Sequence, residues 1–362
     1  MQRPIHGGNL VWAAAKAGCH PSAILDFSAS INPLGPPTSL ITAIQSNLAQ
    51  ITHYPDPSYQ QLCLALGAEH QVDPRYILPG NGAAELLTWA ARELADLEEI
   101  ILVTPAFRDY DRAIAAFGGK VKKFPLDLSN LSGLSGLSGL SSMSQIGKKA
   151  GILINNPHNP TGKLWQREEL LPYLDQFALV VVDEAFMDFL PPGEEQSLIP
   201  LVKDFSNLVI IRSLTKFYSI PGLRLGYAIA APQRLQRWQE WRDPWSVNIL
   251  AEVAGIAALK DQEFRQQTWD WLAPTRKKFF QDLAAIPSLE PHLGAANFLL
   301  VQSQTSVAQL QTQLLQKRKI LIRDCLSFPE LGDRYFRVAI RTVAENQYLV
   351  DSLTSIINNV KN

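Results

Sequence analysis

Four short runs decide most of what this chain can become. "EIILVTP" (99–105), "GILINNP" (151–157), "ALVVVDEAF" (178–186) and "NLVIIRS" (207–213) are almost unbroken in Val, Ile and Leu. A strand with one wet face alternates apolar and polar residues, whereas a strand covered on both faces reads as continuously apolar. Between these runs lie longer stretches with helical spacing, such as "AAELLTWAARELAD" (83–96) and "REELLPYLDQF" (167–177). Strand and helix in alternation predict an α/β fold: a mostly parallel central sheet with helices on both faces.

The rhythm changes toward the ends. "APTRKKFFQDLAAI" reads as helix, "ANFLLVQ" as strand, "SVAQLQTQLLQKRK" as helix, and "ILIRD" and "YFRVAI" as strands. The last segment places Leu349, Leu353, Ile356, Ile357 and Val360 on one helical face. We therefore expect a large α/β domain over 46–240 and a smaller α+β domain from 1–45, with its N-terminal arm, and 241–362. A chain of 362 residues is long enough for both. The "LSNLSGLSGLSGLSSMS" stretch (128–144) repeats a triplet far shorter than a solenoid unit, and its Gly and Ser predict a surface loop.

Composition removes several classes of function. The formal net charge is -1, with no basic arm, so no nucleic-acid partner is expected. No apolar run reaches the length of a membrane span, and the N-terminus carries no signal-peptide core. The three cysteines, Cys19, Cys63 and Cys325, are too scattered for a disulfide framework or a zinc site, so no metal is expected. These features describe a cytoplasmic globular protein.

In parallel α/β sheets ligands gather beyond the carboxyl ends of the strands. Three of the four runs end there in polar or turn residues: "NNPHNPTG", "DEAF" and "RSLTK". Each has an ordinary reading on its own. Asp183 is a carboxylate at the end of an apolar run, which suits a helix cap or an ion pair as well as a ligand contact. Asn159 sits among turn residues. Gly80 and Gly82 precede a helix, where bare backbone N–H groups suit an anion. Lys216 follows a core strand, where desolvation lowers an amine's pKa and frees it as a nucleophile, yet a structural ion pair is equally at home there. Together, a nucleophilic lysine, an acid, an amide and a phosphate cradle are what pyridoxal 5'-phosphate requires.

At these residues the chain resembles the fold-type I, class II-like aminotransferases. "NPHNPTG", "VVDEAF" and "SLTKFYSIPGLRLGY" carry the likeness, and it spans nearly the whole chain. The resemblance implies that Lys216 bonds the cofactor's aldehyde carbon and that Asp183 holds the ring nitrogen protonated. It implies that Asn159 donates to the ring 3-oxygen and that Phe107 stacks on the ring. Ser213, Arg224, Gly82 and the backbone at Ala83 and Ala84 would hold the cofactor phosphate. Tyr54 would reach the phosphate of a partner subunit, which implies a homodimer with shared sites. Two branches of the family are close. "HGGN" with "LDFSASINPLGPP", Phe186 where a tyrosine is usual in histidinol-phosphate aminotransferases, and "ILIRDCLSFPEL" with "YFRVAIRT" resemble the cobalamin-pathway decarboxylases of L-threonine O-3-phosphate. That branch implies release of CO2 and formation of (R)-1-amino-2-propanol O-2-phosphate. The alternative is transamination of histidinol phosphate with glutamate and 2-oxoglutarate. Reaction type depends on which bond at the substrate's Cα is held perpendicular to the cofactor ring, hence on how its ends are anchored. Arg323 and Arg337 are the expected clamps for two anionic groups, since guanidinium pairs bidentately with both carboxylate and phosphate. His6 and Asn32 resemble further substrate contacts. Ser30 stands where that branch often has asparagine, a departure expected to touch only the loop's hydrogen bonding.

Overall fold

The computed structural model describes residues 3–128 and 147–361; the LSG stretch therefore lies almost wholly outside the described residues. In chain order the strands are β1 (Leu25–Asp26), β2 (Ile77–Asn81), β3 (Glu99–Thr104), β4 (Val121–Pro125), β5 (Ala150–Asn155), β6 (Leu179–Asp183), β7 (Leu208–Ser213), β8 (Leu225–Ala230), β9 (Leu289–His292), β10 (Phe298–Ser303), β11 (Ile320–Leu321), β12 (Arg323–Asp324) and β13 (Tyr335–Ala339). Seven of them form the central sheet, in the order β2-β8-β7-β6-β5-β3-β4. From β7 across to β4 every pairing is parallel. β8 alone runs antiparallel to both of its neighbours.

The four apolar runs are β3, β5, β6 and β7, the interior of this sheet. Their side chains alternate between two cores. Ile101, Ile152, Val180, Val182 and Ile210 pack into one. Ile100, Leu102, Leu153, Val181, Val209 and Ile211 pack into the other, against the helix Ala83–Ala95. Burial on both faces is why these strands lack a polar period. The sequence pattern does not announce β2, β4 or β8. β2 contains Pro79 and Gly80 and lies at the sheet edge, where a missing N–H is tolerated. β4 is the opposite edge and carries two lysines.

A second sheet, in the order β12-β13-β10-β9, is antiparallel throughout. β1 pairs with β11 in a two-stranded parallel piece, which ties the N-terminal segment to the C-terminal part. "ILIRD" is thus two short strands in different sheets, broken at Ile322, rather than one. The helix Val343–Lys361 covers this region with Leu349, Leu353, Ile356 and Ile357 buried.

Candidate active site

The polar ends of the interior strands converge at one edge of the central sheet. β7 passes straight into the short helix Leu214–Phe217, which carries Lys216. Its Nζ lies 5.0 Å from the centre of the Phe186 ring. Burial lowers the pKa of this amine, and the charges of Arg224 and Arg337 act the same way, while Asp183 opposes them. The result favours a neutral, nucleophilic amine.

β6 ends on Asp183. Burial pushes this carboxyl's pKa up; a hydrogen bond from Tyr110, the charge of Lys216 and a backbone donor pull it back. Tyr110 donates its hydroxyl to Oδ2 at 2.6 Å and the Ala185 N–H donates to Oδ1 at 3.0 Å. The next strand fixes the turn beside it. Asn155, the last residue of β5, donates Nδ2 to the Asp183 carbonyl at 2.7 Å and accepts the Asn159 N–H at 2.7 Å. That bond sets Asn159 over the same edge. Its Oδ1 accepts from Arg337 Nη1, so its Nδ2 is the end left for a ligand.

Arg337 comes from β13 and stands directly across the ladder from Arg323 on β12. Like charges opposed on an antiparallel pair are destabilising. Arg337 is buried, and burial, then Arg323, lowers its pKa to about 10. Its Nη2 donates to the Ser28 carbonyl at 3.2 Å, and its Nε has no partner. No carboxylate forms an ion pair with it among the described residues. Arg323 donates to the Ile5 carbonyl and, at 2.6 Å, to Ser327 Oγ, which anchors the arm that carries His6. The His6 ring lies 5.5 Å from Phe107. A cavity of about 240 Å³ is lined by His6, Phe107, Asn159, Asp183, Lys216, Arg323 and Arg337, together with Phe186 and Ser30.

The start of another helix adjoins the end of β7, where Ser213 pairs with Gly226. The helix Ala83–Ala95 begins with no side-chain cap, so its first N–H groups are free for an anion. Gly82 sits at φ +76°, a conformation that other residues rarely adopt, and a Cβ there would displace the Arg224 guanidinium. A Cβ on Gly226 would sit 2.6 Å from the Ala83 nitrogen. The backbone and Arg224 thus close on a space that only glycine leaves open. Ser213 ends β7 here, its hydroxyl 2.7 Å from Thr215 Oγ1.

The family described as aminotransferase class I and II matches residues 22–353. This chain belongs to the class I and II aminotransferase family. Within that family it is 40% identical over 363 residues to the threonine-phosphate decarboxylase of Salmonella typhimurium, covering 98% of this chain and 97% of that protein. The histidinol-phosphate aminotransferase of Clostridium acetobutylicum superposes with a TM-score of 0.84 at 29% identity, over 93% of this chain and 100% of that one. The L-threonine-O-3-phosphate decarboxylase of Porphyromonas gingivalis superposes with a TM-score of 0.79 at 26% identity, over 92% and 99%. The architecture is the fold-type I transferase fold that the strand rhythm and motifs predict. Its residues fit pyridoxal 5'-phosphate: a cradle without side chains for the phosphate, an amine with lowered pKa, a buried carboxylate, and an aromatic wall in Phe107. The cofactor, when bound, supplies an electron-withdrawing ring that stabilises negative charge developing at the substrate's Cα.

Not every residue expected in the site of this aminotransferase-family chain is in it. Asn32 is buried, but its Nδ2 donates to the Phe217 carbonyl and to Thr268 Oγ1, both at 2.9 Å, and its Oδ1 accepts the Leu34 N–H at 3.1 Å. Its backbone N–H donates to the Lys216 carbonyl at 3.0 Å and its carbonyl accepts from Ser219 Oγ at 2.6 Å. The amide expected to touch substrate is fully occupied in fastening the N-terminal segment to the lysine helix. Tyr54 lies outside the cavity, 78% exposed, its ring tilted 33° to that of Trp245 with 4.6 Å between centres. Ser30 was expected to affect only its loop's hydrogen bonding, and two further groups, Arg108 and Tyr110, escaped the sequence reading. Ser30 lines the cavity with a buried hydroxyl that has no partner. Arg108 lines it next to Phe107. Tyr110 follows Phe107 by three residues, one helical turn on, and that spacing was the available signal.

Proposed function

We propose that this chain decarboxylates L-threonine O-3-phosphate with pyridoxal 5'-phosphate, giving (R)-1-amino-2-propanol O-2-phosphate and CO2, the aminopropanol unit of cobalamin synthesis. The observation that carries the reading is the facing pair Arg323 and Arg337 in one cavity with Lys216. Two buried guanidinium groups, set opposite each other, suit a substrate with two anionic ends. Arg337, already bonded to Asn159, takes the carboxylate; Arg323, with the exposed His6, takes the phosphate. Holding both ends fixes the substrate about its Cα and sets the carboxylate-bearing bond perpendicular to the ring. Asp183 faces the ring nitrogen and Asn159 Nδ2 the ring oxygen. Gly82, Ala83, Ala84, Ser213 and Arg224 hold the cofactor phosphate. The 40% identity to a threonine-phosphate decarboxylase supports this choice over transamination, as does Phe186, which offers no hydroxyl beside Lys216.

The active form in this reading is a cytoplasmic homodimer. Leu48, Ile51, Tyr54 and Trp245 expose apolar surface on one side of the chain. A second copy covering it would bring Tyr54 to its partner's cofactor phosphate. No helix among the described residues is long and apolar enough to cross a membrane. The large unit is 46–240, and 1–45 with 241–362 make the small one.

The test is product analysis. The purified protein with pyridoxal phosphate and threonine phosphate alone should release CO2 and an aminopropanol phosphate. A requirement for 2-oxoglutarate, or rapid glutamate formation from histidinol phosphate with it, would replace this reading with the aminotransferase one.

A further inference from the structure

Asp183 is a charge in a place hostile to charge. Nothing in its own strand offsets its burial; one donor is the Ala185 N–H and the other is the hydroxyl of Tyr110, from a different element. Tyr110 lies in the helix Arg108–Ala115, whose N-cap residue is Phe107. It is 2% exposed, so water cannot stand in for its hydroxyl. Its ring meets Phe107 edge-on, 5.5 Å between centres and 86° between planes. Burial and the Asp183 charge raise its own pKa well above the usual phenol value, so it stays a donor. One side chain therefore touches both the carboxylate that faces the ring nitrogen and the aromatic wall along the ring.

We propose that Tyr110 is a positioning residue for the cofactor, donating to Asp183 so that this carboxylate stays ionised and aimed at the ring nitrogen. A hydrogen bond to the charged form of an acid favours that form. Without it, burial would let Asp183 keep a proton, and a neutral carboxyl does not stabilise a protonated ring nitrogen. The proposal rests on the reading of Asp183 as the partner of that nitrogen.

The experiment uses Tyr110→Phe, which removes one oxygen and leaves the ring and its contact with Phe107. Dissociation constants for pyridoxal phosphate and for its 1-deaza analogue, where CH replaces the ring nitrogen, are read from cofactor absorbance in both proteins. Wild type should bind the natural cofactor more tightly than the analogue. The variant should lose roughly tenfold with pyridoxal phosphate and nothing with the analogue. The pH at which the bound cofactor changes absorbance should also move in the variant. Equal losses with both cofactors, or no loss with either, overturn the role of Tyr110. Equal affinity of wild type for the two cofactors overturns the role of Asp183 itself, and that outcome is visible before any variant is made.

Discussion

Arg212 and Arg337 are both buried arginines near Lys216, and their surroundings are opposites. Arg212, on β7, pairs with Glu184 at 2.9 Å, Asp188 at 2.5 Å and Glu195 at 3.6 Å. Burial alone would lower its pKa, but those acids raise it overall. Among the described residues Arg337 forms no ion pair with an acid; its Nε has no partner and another arginine stands across the ladder. A fold that needs a buried cation for its own stability surrounds it with counter-charge. A fold that keeps one without counter-charge has left room for a ligand's. The site is therefore marked by what is missing.

The comparison can be broken in several places. The largest effect belongs to Arg212→Met, which leaves Glu184 buried and unpaired and should cost about 3–5 kcal/mol of folding stability. Denaturant unfolding reads it; a variant as stable as wild type would mean that the network is not structural. Arg337→Met should do the reverse. Its kcat/KM on threonine phosphate should fall by roughly a hundredfold or more, while the melting temperature holds or rises because an unmatched buried charge has gone. A strongly destabilised Arg337→Met would erase the contrast.

Acid acts on both regions alike, each through one buried histidine. His70 sits in the Arg212 region, 2.7 Å from the Tyr227 hydroxyl, and His158 precedes Asn159 in the site loop, 2.8 Å from Thr161 Oγ1. Burial lowers each pKa from 6.5 to about 3. Between those values the unfolded chain binds more protons than the folded one. Stability is thus complete above about pH 6.5 and falls as pH drops toward 3, by up to about 1.4 kcal/mol per unit for each histidine. Stability curves at several pH values should flatten by one such step in His70→Gln and by another in His158→Gln. The smallest effect is expected at Ser30. Ser30→Ala removes a hydroxyl with no protein partner, so folding should not suffer, but the KM for threonine phosphate should rise severalfold, for about 1 kcal/mol of lost hydrogen bonding.

Legibility in the sequence followed how locally each feature is encoded. β3, β5, β6 and β7 were readable because two-sided burial writes itself as unbroken Val, Ile and Leu. β2 and β4 were not, because edge strands tolerate Pro79 or lysines. Lys216, Asp183 and Asn159 stood out because each lies at a strand's last residue or in the polar segment just after it. The opposition of Arg323 and Arg337 depends on strand register, which neither segment states alone. Tyr110 finds Asp183 across 73 positions of chain. Asn32 shows the reverse failure: its type suited a ligand contact, yet packing had already used every polar atom it offers.

That use of Asn32 reaches beyond one residue. Its backbone joins the Lys216 carbonyl, and two positions away Ser30 forms part of the cavity wall. The Lys216 backbone and that wall are therefore gauged from a common datum. The outer arm is fastened separately, by Arg323 at the Ile5 carbonyl and by the Gly8 N–H at Ser28 Oγ, 2.8 Å.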